Sequence, residues 1–317
     1  MESLQTPAAA EGDVVDVAPA TSKNRRGRLG RRLDVGLSTL LLLGVMVALH
    51  LRRWVWDLVS GTPDLAVGRL LPPDFIILGV QKAGTTATMQ NLNNHPDIFV
   101  LDEPHFFDNF FSRGKKWYFE QFKASDKPIK GEKTPELIYI DSSWPRIKDT
   151  APNAKFVLFL RDPVQRAFSS WNMNTNNGIE SLSFEAACHK NLANLHERRS
   201  NRASQFHYVQ RGFYHDQIVR FLKEFSRRER LLIVISEQMR AQPERQFSRI
   251  VSFLKDGTNI PSNLTGNFQA KGFEGRYFSR ALNDSSPSLL EELESLYKPH
   301  NERLFRLLDI PGIPEWR

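Results

Sequence analysis

The sequence predicts an α/β domain: a P-loop-like parallel sheet flanked by helices on both faces, preceded by one N-terminal transmembrane helix. Three observations predict it. Short β-branched and apolar runs, "DFIILGV" from Asp74, "KFVLFL" over 155–160 and "RLLIVIS" over 230–236, read as strands buried on both faces. Helical segments separate them, the alternation of a parallel sheet. A further apolar run, Val35 to Leu51, carries one His and no fixed charge. At ~1.5 Å per residue it reaches roughly 25 Å, enough for a thin bilayer.

The organisation follows in order. Residues 1–34 open with an Ala-, Pro- and acid-rich stretch and end in a basic one, and read as a disordered cytosolic tail. Lys23, Arg25, Arg26, Arg28, Arg31 and Arg32 precede the run at 35–51, and only Arg52 and Arg53 follow it closely. That asymmetry puts the N-terminus in the cytosol and the rest across the membrane. A cleaved signal peptide fits poorly, because a long segment precedes the run and no A-x-A site follows. A buried core helix fits poorly because the run is uniformly apolar. Trp54 and Trp56 suit the far interface, at the start of a stem over 52–70. The remaining 71–317 leaves roughly 250 residues, enough for one domain with a sizeable core.

Within that domain, a helix is expected from about Thr85 to Asn94, a strand over 98–101 and an aromatic amphipathic helix over 114–122. The stretch 132–140 should begin extended, because Pro135 restrains the residue before it. After the strand at 155–160, Asp162 suits an N-cap, Pro163 the first helical position and Gly178 the stop. Helices should fill 183–197 and 204–227. A strand over 230–236 precedes helices near 242–255 and 287–308.

The chain of 317 residues carries a net charge of +7. A basic domain across a membrane points to an acidic substrate, a nucleotide or both, and away from nucleic acid. A single cysteine, Cys188, excludes an intramolecular disulfide and reads as a small buried hydrophobe. Asn263 and Asn283 begin sequons that this topology would make available for glycosylation.

The chemistry centres on "GVQKAGTT". A strand, a turn at Gly84 and a helix start aim backbone N–H groups and a positive dipole end at one spot. Thr85 and Thr86 add hydroxyls and Lys82 a charge, making an anion cradle. A Walker loop would place its lysine after the second glycine, whereas Lys82 lies within the turn. The second cluster is "LFLRDPVQRAFSSW". Arg161 ends a strand, where open α/β sheets hold ligands, and Ser169 follows on the next helix. Together they suit a second phosphate; alone, Arg161 suits an ion pair with Asp162 or Glu132. A Mg-dependent kinase or ATPase should end a second strand in an acid. Arg161 stands in that place, and Glu237 comes only after Ser236, so no metal acid is convincing.

These clusters carry a resemblance. "PDFIILGVQKAGTTA" looks like the 5′-phosphosulfate loop of the PAPS-dependent sulfotransferases, and "FVLFLRDPVQRAFSSW" like their 3′-phosphate motif. "HPDIFVLDEPHFFDNFF", "WYFEQF" and "GEKTPELIY" resemble the heparan sulfate glucosaminyl 3-O-sulfotransferases and related N-sulfotransferase domains. The likeness runs from about Pro72 to Asp309. It implies 3′-phosphoadenylyl sulfate (PAPS) as donor, no required metal, and a hydroxyl or amine of a heparan-sulfate-like glycosaminoglycan as acceptor. It implies that Lys82, Ala83, Gly84, Thr85 and Thr86 hold the 5′-phosphate, Lys82 also stabilising the leaving oxygen. Arg161 and Ser169 would hold the 3′-phosphate. Glu103 would be the base, with Lys133, His105 and Asp108 beside it; Glu132 reads as an orienting partner of Lys133 or a surface acid. His105 also suits a satisfied core histidine, and Asp108 a cap.

The family's disulfide-bonded hairpin and its Lys-Gly-Arg cover are replaced here by "AKGFEGRYFSRALNDSSPS". Lys271, Gly272 and Arg276 stand where the cover would be, with Phe273 or Tyr277 against adenine. Arg198, Arg199, Arg202 and Arg211 suit either an anionic cleft or a solvated helix face. The implied enzyme is a single-pass type II Golgi membrane protein with a lumenal catalytic domain. A sulfotransferase for protein tyrosine or a small molecule, and a non-catalytic nucleotide- or polyanion-binding membrane protein, remain open alternatives.

Overall fold

The computed structural model describes residues 71–195, 204–256, 282 and 285–316. The tail over 1–34, the run at 35–51 and the stem at 52–70 lie outside them. So do Arg198, Arg199 and Arg202, the sequons at Asn263 and Asn283, and Lys271, Gly272, Phe273, Arg276 and Tyr277. Among the described residues, no helix is long and apolar enough to cross a membrane.

The element order is β1 (Phe75–Gly79), α1 (Thr85–Asn93), β2 (Ile98–Asp102), α2 (Gly114–Glu120), β3 (Ile129–Lys133), α3 (Trp144–Thr150) and β4 (Lys155–Leu160). Then come α4 (Pro163–Asn176), α5 (Phe184–Ala193), α6 (Tyr214–Phe225), β5 (Leu231–Ile235), α7 (Ser236–Ala241), α8 (Pro243–Lys255) and α9 (Pro287–Leu308). The strands form one five-stranded sheet in the order β2-β3-β1-β4-β5. Every neighbouring pair is parallel. β1 and β5 are buried along their whole length, so helices and loops cover both sheet faces, as uninterrupted apolar runs require.

The order has a functional consequence. The chain leaves β1 for the β3 side, then returns to β4 on the other side of β1. Open α/β sheets bind ligands at such a reversal, beyond the carboxyl ends of the strands. The turn after β1, Lys133 ending β3 and Arg161 following β4 all meet there. Gly131 permits the close β1–β3 fit: it pairs with Phe75, and a Cβ there would stand 2.4 Å from the Phe75 ring.

Local rules set the helix starts. Asp162 caps α4 by accepting from Gln165 N at 2.7 Å, with Pro163 in the first turn. Ser183 caps α5, and its oxygen accepts from Ala186 N at 3.2 Å. One apolar core lies along the sheet, and a second joins α4, α5 and α9 around Trp171, Phe184 and Tyr297. Cys188 is a free, buried thiol in the second core, as its sequence setting predicts, and burial pushes its ionisation upward.

One expectation needs correction, and one strand went unforeseen. The stretch 204–227 is not one helix: short 3-10 turns at Ser204–Phe206 and Gln210–Gly212 precede α6. Tyr297 packs against Gly212 so closely that a Cβ would lie 2.6 Å from its ring, so glycine alone fits at that turn. Residues 129–133 form a strand that sequence patterning misses, because "IKGEK" lacks an apolar run.

Candidate active site

The turn after β1 has the strand–turn–helix form that its sequence suggests. Gly84 adopts φ 93°, a left-handed turn that glycine enters without penalty, and α1 begins at Thr85. Thr85 is buried and Thr86 exposed. The turn is held from both sides. Val80 N donates to Phe159 O at 2.7 Å, and Ser236 Oγ to Ala83 O at 2.5 Å. The Gln81 amide accepts from Ser170 Oγ at 3.3 Å and Arg211 Nη1 at 3.1 Å. Arg211 is therefore neither a solvated helix residue nor part of an open cleft. It is buried, pairs with Glu136 at 3.3 Å and lies over the Tyr139 ring.

Lys82 reaches α4, where its Nζ is 3.4 Å from Met173 Sδ. Burial, with the Arg161 cation, pulls its ammonium down to about 8. Arg161 donates to the Lys82 carbonyl at 3.0 Å and to Gln165 Oε1 at 3.3 Å, while its Nε is buried without a partner. Among the described residues it forms no ion pair with Asp162 or Glu132, because Asp162 turns to cap α4 and Glu132 lies elsewhere. The guanidinium is thus anchored to the cradle with donor capacity in reserve. Ser169 is buried on α4, two turns along; no hydrogen bond joins it to Arg161.

The second half of the site follows β2. Glu103 N donates to Lys133 O at 2.8 Å, extending the β2–β3 ladder by one step. Lys133 Nζ is 2.7 Å from Glu103 Oε1, 2.7 Å from Asp102 Oδ1 and 3.2 Å from Thr86 Oγ1. It is almost wholly buried, so its charge is desolvated between the anion cradle and the acid loop. His105 is neither core nor satisfied by apolar neighbours. Its Nδ1 is 2.9 Å from Asp108 Oδ2 and its Nε2 is 3.6 Å from Glu103 Oε2. Asp108 and Glu103 push the imidazole up to about 10, so it is a cation. The His105 imidazolium at 3.6 Å and then Lys133 hold Glu103 down at about 2. Glu103 and His105 both have positive φ, at 42° and 49°, a backbone region that costs residues other than glycine strain.

Glu132 departs from both expectations for it. Successive strand residues point to opposite faces. Lys133 therefore faces Glu103, and Glu132 is fully buried on the far face, 2.6 Å from Tyr118 Oη. Burial, with Asp108 adding, pushes its carboxyl up from 4.5 to about 8. The folded protein thus keeps a proton that the unfolded chain sheds. The stability this contributes is complete below the ordinary carboxyl range and lost as pH rises through about 8. Glu132→Gln should gain thermal stability over wild type progressively between about pH 5 and about pH 9. A constant difference in melting temperature across that range would show that Glu132 is ionised throughout.

The structure thus brings Lys82, Thr86, Arg161, Glu103, Lys133, His105 and Asp108 to one end of the sheet. Sequence reasoning missed Asp102, whose signal was its place just before Glu103, and Tyr118. A cationic cradle next to a carboxylate and an imidazolium can bind a doubly phosphorylated anion and take a proton from a nucleophile placed between them.

The profile of the family described as "Sulfotransferase domain" matches residues 72–269. Human heparan sulfate glucosamine 3-O-sulfotransferase 3B1 is 27% identical over 252 residues, covering 74% of this chain and 63% of that protein. The human 3A1 enzyme is likewise 27% identical, with 60% of its length covered. The chain therefore spans less than two thirds of the length of these curated relatives. Membrane-associated sulfotransferase kil1 of Dictyostelium discoideum is 37% identical over 114 residues, 34% of this chain and 24% of that protein. The fold matches a sulfotransferase from Alicyclobacillus acidocaldarius with TM-score 0.65 and 24% identity, covering 79% of this chain and all of the other.

Proposed function

This chain belongs to the family of PAPS-dependent sulfotransferase enzymes, and from that premise we propose that it sulfates an anionic glycan of the heparan sulfate type. The acceptor oxygen or amine attacks sulfur while the bond from sulfur to the 5′-phosphate oxygen breaks. Glu103 receives the acceptor's proton. Lys82 stabilises the charge that grows on the leaving phosphate. The products are the sulfated glycan and adenosine 3′,5′-bisphosphate. Thr85, Thr86 and the α1 N-terminus hold the 5′-phosphate; Arg161, with Ser169 on the next helix, holds the 3′-phosphate. Lys271, Gly272, Phe273 and Arg276 complete the nucleotide cover. The catalytic domain is lumenal and held at the Golgi membrane by the run at 35–51, with Asn263 and Asn283 open to glycosylation.

The observation that carries this reading is the position of Lys133, bonded to Thr86 in the cradle and to Glu103. One lysine joins the donor side to the base, so the reacting groups meet around it. A carboxylate held at about 2 by two cations is a weak base. When the anionic donor occupies the cradle, Lys133 turns toward it from Glu103, leaving the carboxylate one cation fewer and more basic.

The test uses the full chain in detergent or nanodiscs. Calorimetry should show adenosine 3′,5′-bisphosphate binding at least about a hundredfold more tightly than 5′-AMP, a preference that Arg161→Ala abolishes. Labelled PAPS should then transfer its sulfuryl group to heparan sulfate. Equal binding of the two nucleotides would reject the donor assignment. Transfer to a tyrosine peptide or a phenol in place of the glycan would reject the acceptor assignment alone.

A further inference from the structure

Next to the acid loop stands an arginine without an acid. Phe110 N donates to His105 O at 2.9 Å, so this ring begins at the wall of the site. Arg113 lies in the 3-10 turn Phe111–Arg113 that follows. Its guanidinium carbon is 4.6 Å from the Phe110 ring centroid and 4.8 Å from that of Trp117. The two rings meet edge to face at 6.1 Å. Trp117 is half-buried and packs on Phe106 in the core, so the platform is fixed from beneath. Phe110 is 38% exposed and Arg113 is exposed beside it. Among the described residues, no carboxylate lies within ion-pair distance of Arg113. Lys115 is committed to Asp149 at 3.0 Å, while Lys116 is exposed.

Arginine over one ring is common on protein surfaces and needs no ligand. Here two rings, inclined at 67° to each other, flank the same guanidinium, and Arg113 stays exposed to solvent. A planar fork held in one orientation suits a carboxylate or sulfate, which it meets with two parallel hydrogen bonds. The exposed face of Phe110 suits the C–H face of a sugar ring. Lys116 adds positive charge, so the patch complements an anionic chain.

We propose that Phe110, Arg113 and Trp117 form a saccharide subsite beside Glu103. Arg113 receives the carboxylate or sulfate of a sugar neighbouring the one modified, and Phe110 carries its ring. The inference rests on the anionic-glycan reading above and deepens it, because it says which contacts choose the chain.

Full-length wild type, Arg113→Ala, Arg113→Lys and Phe110→Ala should be compared with heparan sulfate as acceptor at saturating PAPS. Arg113→Ala should raise KM for the chain about tenfold or more, with kcat changed by less than about twofold. Arg113→Lys should recover only part of the loss, because a lysine restores charge and not the fork. Phe110→Ala should raise KM by a smaller factor. Adenosine 3′,5′-bisphosphate affinity reports that the donor half is folded in each variant. Wild-type transfer with KM unchanged in Arg113→Ala and Phe110→Ala rejects the subsite alone. A fall in kcat at constant KM also rejects it. Absence of any wild-type transfer to heparan sulfate, with the bisphosphate still bound, rejects the acceptor reading and the subsite together.

Discussion

Glu103→Gln should cut turnover by a factor of about 10² to 10⁴, the usual worth of a positioned base, while adenosine 3′,5′-bisphosphate binds as before. The amide has the shape of the carboxylate and can still accept from Lys133 Nζ, now 2.7 Å from Glu103 Oε1. It cannot take a proton. A second measurement makes the result specific to this geometry. His105 is raised to about 10 by Asp108 first and Glu103 second. Without Glu103 the imidazole should titrate at lower pH yet stay above its ordinary range, visible by NMR. Retained turnover would remove Glu103 from the chemistry. An unchanged His105 titration would break the link between them.

The pH profile carries further information on the same residue. Glu103 must be ionised to act, so activity should fall as pH drops through its value in the complex. With Lys133 still on Glu103 that limb would lie near 2. An acid limb well above that value at saturating donor would report that Lys133 has turned away. A limb absent down to the point of acid unfolding would mean that both cations stay on Glu103 throughout.

Lys82→Met should lower turnover by about 10² to 10³, the scale found when one donor to a developing oxyanion is removed. Burial and Arg161 hold the free lysine at about 8. The anionic donor favours the charged form and raises it again. Donor affinity should therefore be highest below about pH 8 and decline above it, as a growing share of the free protein must first bind a proton. Calorimetry at about pH 9 in two buffers of different ionisation enthalpy should show proton uptake on binding adenosine 3′,5′-bisphosphate, and Lys82→Met should abolish it. Uptake that persists in the variant would assign the proton to another group. Full turnover in the variant would end the role of Lys82 at the leaving oxygen.

Local sequence patterns are enough to read much of this fold. Continuous apolar runs identify β1, β4 and β5, because a strand covered on both faces has nowhere to place polar groups. Asp162 and Pro163 announce the start of α4, since capping depends on residues within one turn. Gly84 before Thr85 announces the turn and the start of α1 for the same local reason.

What stays hidden depends on pairing between distant segments. "IKGEK" reads as polar chain, yet it forms β3, because the pleat buries Ile129, Gly131 and Lys133 on one side and Glu132 on the other. That alternation, not sequence adjacency, sends Lys133 to Glu103 and Glu132 to Tyr118. The bonds from Lys133 to Thr86 and Glu103 span 47 and 30 residues. They exist because the order β2-β3-β1-β4-β5 sets β3 between the strand that leads to Glu103 and the strand that leads to the turn before Thr86. Local sequence determined that a buried strand would end in a glycine turn opening a helix. Strand order and register, which no local pattern encodes, decided which carboxylate would share a lysine with it.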